Sequence, residues 1–461
     1  MGDAAKISNP WPSAPRWPVV GHLPTLITRG FMQFLADSWR TCGDCFELHI
    51  AGQTLKVIVH PDDVEAMLLT RRERYIKGAG YDPFRQLVGN GLVSAEGALW
   101  RRQRRLIQPS FRRETIARLG DRMVTQADAM LERWARDPSE FDVHAELMRL
   151  TLEIIGDSLF GLEFGDDRAA TSTGAFTAAM EVIAARVTAV AVPPRWLPTP
   201  GNRRLERSVA AIDRVVAGVI AARRESGDDC DDLLGALLRA RDEQGDPIDE
   251  VQLRDEVVTM FLAGHETTAV ALTWTLWLLS QHSEVLARAV AEVDAALGDR
   301  APTVADLPKL AYLGWVFHES MRVIPPVWSG ARNCIEADTL GAGLPVGPGD
   351  RVMNLIHLTH KHPEFWPDPE RFDPERFNPA SSAERHKFAY MPFTEGPRKC
   401  VGLHFATMEV QLLLARMLQR GAVTIADGFV PEMDYQLTTR PKHGLRVRWS
   451  PRGCLRQVHA R

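Results

Sequence analysis

Residues 393–402, FTEGPRKCVG, place one cysteine, Cys400, in a segment that is rich in turn-forming residues. Gly396 and Gly402 predict a tight, irregular loop around this thiol. The backbone N–H groups of such a loop can point at the sulfur, and the nearby Arg398 adds a positive charge. Both features favour the thiolate over the thiol. The loop therefore predicts a thiolate that meets either an electrophile or a metal.

The composition is that of a large globular protein. The chain has 461 residues, of which 45% are hydrophobic and 25% are charged. Its net charge of −4 argues against nucleic acid as a partner, and six cysteines in this length do not predict a disulfide framework. Residues 1–20 form a proline-rich lead-in without the apolar stretch of a signal peptide. We expect a reduced, cytoplasmic protein.

The pattern of apolar residues predicts a mainly α fold of the α+β class, in one domain over residues 1–461. The chain contains no repeat and no low-complexity linker that would divide it. Alternation predicts two short strands at 46–50 and 55–59, and helices dominate from about 98 to 330. Short strands are expected over 331–352, and a helix over 409–418.

Residues 257–279 form an apolar stretch that is long enough to span a bilayer. Glu266 lies at its centre, and a charged group there costs about 2.5–3.5 kcal/mol on membrane-insertion scales. We therefore expect a helix through the core of the protein, running from about 249 to 281, and no membrane anchor.

The Cys400 thiolate has two chemical uses. It could be a nucleophile that works with a histidine base, or the single axial ligand of a haem iron. Its loop resembles the haem-binding loop of the cytochrome P450 family, with Phe, Gly, Arg, Cys and Gly at the family's spacing. The matching residues are Phe393, Gly396, Arg398, Cys400 and Gly402. The resemblance implies haem b with the Cys400 thiolate as the iron ligand. Thr394 is a mild departure from the family pattern and leaves this assignment intact.

A second part of the resemblance is the ExxR sequence at residues 319–322. On a helix, Glu319 and Arg322 lie on one face and can form an ion pair. A surface ion pair is the simpler interpretation, since a single ExxR is common. The resemblance implies instead a buried network of Glu319, Arg322 and Arg376, the last from FDPERF, which stabilises the loop of Cys400.

A third part is AGHETT, residues 263–268, in the middle of the long predicted helix. Glycine and threonine are poor residues for a helix interior, and a threonine hydroxyl can bond to the preceding turn and bend the helix. The resemblance implies an oxygen-binding groove here, with Ala263 against the haem. Glu266 and Thr267 match the acid–alcohol pair that relays protons, whereas His265 occupies a variable position and is expected to have no catalytic role.

A fourth part is WRRQR, residues 100–104. The two haem propionates need cations and hydrogen-bond donors. By resemblance, Trp100 and Arg104 supply them, together with Arg398 and, less securely matched, Arg332. The other arginines of the segment are expected to form a solvated helix face.

Two further patterns point to metals or redox chemistry. Cys42 and Cys45 have the spacing of a redox pair, but no second pair completes a zinc site. His357, His360 and His362 form a histidine-rich run just before a stretch that is structural in the family. We expect structural roles for both.

The resemblance covers the chain from about residue 19 to 447 and implies a soluble, bacterial-type haem-thiolate monooxygenase. It implies insertion of one atom of O₂ into a lipophilic small molecule, such as a terpenoid, fatty acid or polyketide, by hydroxylation or epoxidation. The electrons would come from NAD(P)H through a separate ferredoxin or flavodoxin and its reductase, since no reductase domain is seen. We expect a monomer. By analogy, the substrate pocket draws on residues 81–92, 192–197, 260–263, 327–330 and 438–439.

Two interpretations stay open beside this one. Some family members isomerise, dehydrate or couple their substrates, and a haem protein can also be a sensor or carrier that only binds ligands. For the partner protein, we expect a basic patch made by the exposed members of the set Arg112, Arg113, Arg398 and Lys399.

Overall fold

The computed structural model describes residues 11–50, 52–137, 139–162, 166–188, 192–226, 232–241, 245 and 247–452. Helices dominate, and short strands form small sheets, which confirms the predicted fold class. The helices are α1 (Leu23–Arg29), α2 (Phe31–Cys42), α3 (Pro61–Glu65), α4 (Asp82–Val88), α5 (Gly97–Ile107), α6 (Arg113–Ala117), α7 (Gly120–Arg136), α8 (Val143–Phe160), α9 (Asp166–Thr188), α10 (Pro200–Ser226), α11 (Leu233–Arg239), α12 (Glu250–Gln281), α13 (Ser283–Leu297), α14 (Ala311–Val323), α15 (Ile356–Thr359), α16 (Pro379–Ser382) and α17 (Leu403–Arg420).

The strands are β1 (Cys45–Ile50), β2 (Gln53–Ile58), β3 (Tyr75–Ile76), β4 (Phe141–Asp142), β5 (Gly330–Cys334), β6 (Asp338–Leu340), β7 (Leu344–Val346), β8 (Arg351–Asn354), β9 (Gly421–Ile425), β10 (Met433–Tyr435), β11 (Thr439–Pro441) and β12 (Arg446–Pro451). The contacts divide the chain into two compact units. Within the described residues, the first contains the chain up to Tyr81 together with Trp328–Glu370 and Arg385–Lys399. The second contains Asp82–Val327, Arg371–Glu384 and the chain from Cys400 onwards.

The first unit is built around a sheet with the strand order β1-β2-β8-β5-β3. The two predicted strands near 46–50 and 55–59 form a hairpin, in which β1 and β2 pair antiparallel from Cys45–Ile58 to Ile50–Gln53. Strand β2 then pairs parallel with β8, so its inner edge is covered. Apolar side chains of β1 and β2, among them Phe46, Leu48 and Val57, are buried.

The second unit is organised around α12. Its N-cap is Asp249, whose carboxylate accepts a hydrogen bond from the backbone N–H of Gln252 at 2.8 Å. Residues on all faces of α12 are buried, as expected for a helix through a core. Helix α8 packs along it, and the C-terminal sheet has the order β4-β12-β9. None of the described helices is both long and apolar enough to cross a membrane.

The first turns of α12 also hold the loop between α4 and α5 through two carboxylates. Asp255 accepts a hydrogen bond from the backbone N–H of Asn90 at 2.7 Å, and Glu256 accepts one from that of Leu92 at 3.0 Å. Burial raises the pKa of Glu256 to about 8, and the hydrogen bonds that Glu256 accepts from Leu92 and Gln252 oppose the rise. The carboxyl group of Glu256 therefore holds a proton at neutral pH.

Candidate active site

Residues 393–399 turn sharply within the first unit. Gly396 has a φ of 79°, and a Cβ at this position would lie 2.3 Å from the backbone oxygen of Leu68. Backbone conformation and close contact therefore both require glycine here. Thr394 has a φ of 53°, which is unusual for a β-branched residue and costs conformational energy.

A buried glutamate stabilises the same segment. The Glu395 carboxylate lies 2.7 Å from the Nζ of Lys399 and 3.2 Å from the Nζ of Lys387. The charge of Lys399 is thus compensated locally. Phe393 and Arg398 are half-buried.

Cys400 belongs to the second unit and lies just before α17. Cys400 is exposed. Gly402 is the N-cap of α17, and its carbonyl accepts a hydrogen bond from the N–H of Ala406 at 2.8 Å. A Cβ at Gly402 would lie 3.8 Å from the Sγ of Cys400, an ordinary contact, so the protein's own packing does not require this glycine. The nearby helix N-terminus favours a negatively charged sulfur.

Trp100 and Arg104 lie one turn apart on α5, on the same face of the helix, and both are half-buried. Burial lowers the pKa of the Arg104 guanidinium, and the charge of Cys400 opposes this decrease. The cation and the sulfur therefore interact within the second unit. Arg101 and Arg105, on the other side of the helix, are exposed.

Arg332 lies on β5 in the first unit, where its neighbour across the ladder is Val352. It is half-buried, and its Nη1 donates a hydrogen bond to the backbone oxygen of Ala331 at 2.8 Å.

Within the AGHETT stretch, one residue of α12 is exposed although nearby residues are buried. Ala263 is exposed, although Leu262 and His265 are buried. The hydroxyl of Thr267 donates a hydrogen bond to the backbone oxygen of Ala263 at 2.7 Å. A small apolar side chain and a hydroxyl group thus lie one turn apart.

The glycine of this stretch has a packing role that the sequence did not indicate. A Cβ at Gly264 would lie 2.4 Å from the Cδ1 of Ile155 on α8. Gly264 therefore allows the close packing of α8 against α12. In addition, the hydroxyl of Thr151 on α8 donates a hydrogen bond to the backbone oxygen of His265 at 2.9 Å.

Glu266 is buried and has a specific partner. Its Oε1 accepts a hydrogen bond from the hydroxyl of Thr438 at 2.7 Å. Burial raises the pKa of Glu266, while Thr438 and the charge of Arg440 oppose that rise. The carboxyl group therefore takes up a proton more readily than an exposed glutamate does.

His265 is packed away from solvent next to these residues. Its Nδ1 lies 2.6 Å from the backbone oxygen of Phe261, and its ring contacts that of Phe176. Burial lowers the pKa of His265 to about 4, so the ring is neutral at pH 7. This environment fits a core residue.

The structure brings Glu319, Arg322 and Arg376 together in the second unit. Two nitrogens of Arg322 donate to the Glu319 carboxylate at 2.7 and 2.8 Å, and both side chains are fully buried. The backbone N–H of Asp373 donates to Glu319 at 2.8 Å, and the Nε of Arg376 lies 3.5 Å from it. Arg322 also donates to the backbone oxygen of Arg371 at 2.9 Å. The pair therefore fixes the chain around residues 371–376.

Two features of the site were missed by the sequence reasoning, which assigned residues 438–439 only to the substrate pocket. The partnership of Thr438 with Glu266 joins residues 172 positions apart and has no local signal. Glu409 on α17 is fully buried, and neither of its carboxylate oxygens meets hydrogen-bond geometry with another described protein atom. Burial raises the pKa of Glu409 well above its usual range, and nearby Thr268 opposes this only in part. The sequence does contain a signal for this residue, because Glu409 is the single acid in the mainly apolar sequence of α17. Such a position indicates a buried titratable group.

These residues fit a haem that is bound through a thiolate. The second unit presents an exposed sulfur, Cys400, and an exposed alanine, Ala263, in the middle of a buried helix. It also presents an indole and a guanidinium, Trp100 and Arg104, on one helix face. An apolar macrocycle with two propionates and an iron requires donors of these kinds.

Comparisons with known proteins identify the family of this chain. The cytochrome P450 family model matches residues 12–446. Cyclooctatin synthase from Streptomyces melanosporofaciens is 34% identical over 410 residues, which cover 87% of each chain. Cyclooctat-9-en-7-ol 5-monooxygenase from the same organism is 35% identical over 405 residues, again with 87% coverage of each. Pentalenene oxygenase from Streptomyces avermitilis is 33% identical over 409 residues, 88% of this chain and 90% of the relative. The chain therefore belongs to the cytochrome P450 family of haem-thiolate monooxygenases.

Proposed function

We propose that this monooxygenase inserts one oxygen atom from O₂ into a lipophilic small molecule, by hydroxylation or epoxidation. The observation that carries the proposal is the middle of α12, where the Thr267 hydroxyl and the buried Glu266 carboxyl follow the exposed Ala263. An acid and an alcohol beside an apolar surface are the groups that proton-coupled oxygen chemistry on an apolar substrate needs.

The residues that would hold haem b follow from the site. Cys400 would be the iron ligand, and Trp100, Arg104, Arg398 and Arg332 would be the donors to the propionates. Apolar and glycine positions would lie against the macrocycle: Ala263, Phe393, Gly396 and Gly402. When bound, haem supplies the binding and reduction of O₂. Glu319, Arg322 and Arg376 would stabilise the surrounding chain.

Thr267 and Glu266 would have separate tasks. The hydroxyl proton of Thr267 is donated to the oxygen of Ala263, so the hydroxyl oxygen remains able to accept a hydrogen bond from a ligand. Glu266 would hold the proton, because burial raises its pKa. To pass that proton on, its carboxyl group must exchange its contact with Thr438 for one with a water molecule or a hydroxyl group.

The substrate would be an apolar polycyclic compound of terpenoid type. Two relatives are named for pentalenene and for cyclooctat-9-en-7-ol, an alkene and an unsaturated alcohol by nomenclature. Within the second unit, residues 192–197 present exposed apolar side chains, among them Val192, Trp196 and Leu197. By analogy with the family, these residues would contribute to substrate entry.

The electrons would come from NAD(P)H through a separate ferredoxin or flavodoxin and its reductase. Arg112 and Arg113 are exposed and carry positive charges that could attract an acidic partner. Lys399 contributes less, because Glu395 compensates its charge. We also propose that the chain acts as a cytoplasmic monomer, with one functional domain and without a nucleic-acid or membrane partner.

A substrate screen with an isotope label tests this function. We expect polycyclic alkenes and alcohols to shift the absorption spectrum of the haem-loaded protein, and turnover with surrogate redox proteins under ¹⁸O₂ to yield products with one ¹⁸O atom. Turnover that leaves ¹⁸O out of the product would instead indicate isomerisation, dehydration or coupling. A ligand-induced shift without any NAD(P)H-dependent product would indicate a sensor.

A further inference from the structure

A cluster of potential metal ligands lies in the first unit, apart from the residues discussed above. It consists of His60, which caps α3, and of His362 and Glu364, which follow α15. One ligand atom from each of the three residues lies within 4.8 Å of the other two. Two imidazoles and a carboxylate are a common ligand set for zinc.

His362 is oriented as a metal ligand would be. Its Nε2 lies 3.1 Å from the Oδ1 of Asp44, which also accepts a hydrogen bond from the indole of Trp39 at 2.7 Å. A carboxylate can only accept, so the proton of the ring lies on Nε2. The Nδ1 accepts a long hydrogen bond, 3.4 Å, from the backbone N–H of Glu364, which a cation bound at Nδ1 would replace.

His60 has the same arrangement, with a carboxylate beside one nitrogen. Its Nδ1 lies 3.2 Å from the backbone nitrogen of Asp62 and 3.6 Å from the Oδ2 of the same residue. Its Nε2 lies 3.5 Å from the Oε2 of Glu364. The Nδ1 accepts a hydrogen bond from the backbone N–H of Asp62, so the ring proton lies on Nε2. For Nε2 to bind a cation next to Glu364, this proton must move to Nδ1, where the Asp62 carboxylate can accept it. A carboxylate on the second nitrogen is the usual environment of a metal-binding histidine.

Aromatic packing holds both rings in place. The Phe365 ring lies 5.4 Å from that of His60 and 5.3 Å from that of His362, and the two imidazoles are perpendicular at 5.3 Å. His362 is buried, whereas the side chain of Glu364 is 63% exposed. An ion can therefore enter from the Glu364 side.

We propose that His60, His362 and Glu364 bind one divalent transition-metal ion such as Zn²⁺, with water completing a tetrahedral shell. Imidazole and carboxylate ligands suit this class of ion. Binding leaves both imidazoles neutral and Glu364 ionised; the ring proton of His60 moves from Nε2 to Nδ1, and no electron is transferred. The ion would cross-link the start of α3 to the turn after α15.

Such a cross-link would restrain the chain that leads to residues 393–399. His360, two residues before the ligand His362, accepts a hydrogen bond from the backbone N–H of Met391 at 2.9 Å. The histidine-rich run 357–362 thus has at least two distinct uses. His360 holds the 391 segment, and His362 would bind the ion.

Zinc titration of the haem-loaded, tag-free chain tests the proposal. We expect isothermal titration calorimetry to give one Zn²⁺ per chain and an unchanged haem spectrum. His60→Ala and Glu364→Ala should each weaken binding by about tenfold or more. Glu364 is exposed, so its variant should keep the fold. His443→Ala is the matched control, because His443 lies 4.0 Å from Glu432 in a surface pair and should not affect binding.

A second measurement is the melting temperature with and without Zn²⁺. We expect Zn²⁺ to raise it in the wild type and in His443→Ala, but not in the two ligand variants. The proposal is wrong if the wild type shows no saturable binding. It is also wrong if His60→Ala and Glu364→Ala bind Zn²⁺ as tightly as the wild type. Neither readout depends on activity, so the result is independent of the proposed function.

Discussion

Thr267 and Glu266 are neighbours in α12 but have different partners. Thr267 donates a hydrogen bond to the preceding turn of its own helix, and Glu266 accepts a hydrogen bond from Thr438 in the turn between β10 and β11. A substitution at Thr267 therefore changes a hydrogen-bond acceptor at the exposed surface near Ala263. A substitution at Glu266 changes a buried acid. The two variants should have different kinetic effects.

We expect Thr267→Ala to uncouple the reaction. The variant loses one hydrogen bond within the helix, worth about 1 kcal/mol, and should keep haem, substrate binding and NAD(P)H consumption. Without the hydroxyl group, proton delivery is misdirected, and more of the consumed O₂ should leave as hydrogen peroxide. Product and peroxide per NAD(P)H are the measurements.

Thr273→Ala is the matched control for a purely structural effect. Thr273 donates the same kind of hydrogen bond, to Ala269 at 2.7 Å on the same helix. Its hydroxyl also lies 3.0 Å from the Nδ1 of His144, so Thr273→Ala should lose at least as much stability and still keep its coupling. Coupling that stays at the wild-type ratio in Thr267→Ala would remove the proposed proton role.

The α8–α12 contact makes a prediction about helix packing. Gly264→Ala places a Cβ 2.4 Å from the Cδ1 of Ile155. The free energy of unfolding should fall by about 1–3 kcal/mol, less the gain in helix propensity of up to about 1 kcal/mol. Chemical denaturation of the haem-loaded protein measures the difference.

A double-mutant cycle identifies the cause. Valine lacks the Cδ1 of isoleucine, so Ile155→Val should cost about 0.5–1.5 kcal/mol alone and restore part of the loss in combination with Gly264→Ala. Gly218→Ala on α10 is the control, since no atom lies within 4 Å of its Cβ, and it should stabilise the protein slightly. Additive effects of Gly264→Ala and Ile155→Val would exclude the proposed clash.

Local elements could be predicted from the sequence, and distant pairings could not. Helix α12 was placed to within a residue because Asp249 and the apolar run are local signals. The spacing around Cys400 is local as well. The pairing of β2 with β8 and the contact of Glu266 with Thr438 join segments far apart in the chain. Composition and periodicity carry no information about such pairs. Gly264 was noticed, but its partner, Ile155, was equally invisible.

The buried titratable groups predict how stability depends on pH. Burial lowers the pKa of His144, His265 and His318 to about 4 each. At these three histidines the unfolded chain binds more protons than the folded one between about pH 4 and 6.5. Their contribution to the free energy of unfolding should therefore fall as pH decreases through this range, which urea unfolding of the wild type and of His318→Gln at each pH can measure.

Glu256 has the opposite effect on the free energy of unfolding, over a range that extends to about pH 8. Its folded pKa of about 8 lies above the unfolded value, so the folded protein binds the extra proton between about 4.5 and 8. The contribution of Glu256 to stability should decrease as pH rises through this range, by an amount on the order of a few kcal/mol. Glu256→Gln should remove this contribution and leave the dependence of stability on pH below about 4.5 unchanged. An equal slope in wild type and variant would contradict the assignment.

Charge on the surface of the protein should control reduction by the partner. We expect the double substitution Arg112→Glu and Arg113→Glu to slow electron transfer from an acidic ferredoxin, and the wild-type rate to fall as salt increases. Substrate affinity should not change. Stopped-flow reduction at several salt concentrations is the measurement.

An equally charged variant provides the control for that experiment. Arg203 and Arg207 on α10 are also exposed, and their replacement by Glu changes the net charge by the same amount. If the two variants are reduced at the same rate at low salt, the Arg112–Arg113 site has no specific role in partner binding.

The first unit is formed by segments that lie far apart in the chain, and this has a consequence for biosynthesis. Its sheet pairs β2 with β8, and Gly396 rests against the backbone of Leu68, so early and late parts of the chain need each other. A ribosome adds roughly 5–20 residues per second, so β2 waits on the order of 15–60 s for its partner strand. During translation the edge of the β1–β2 hairpin is open to wrong pairing, and chaperones have time to bind it. Residues 393–399 are made after β8, so a cofactor that they help to bind could be loaded only after this segment has been synthesised.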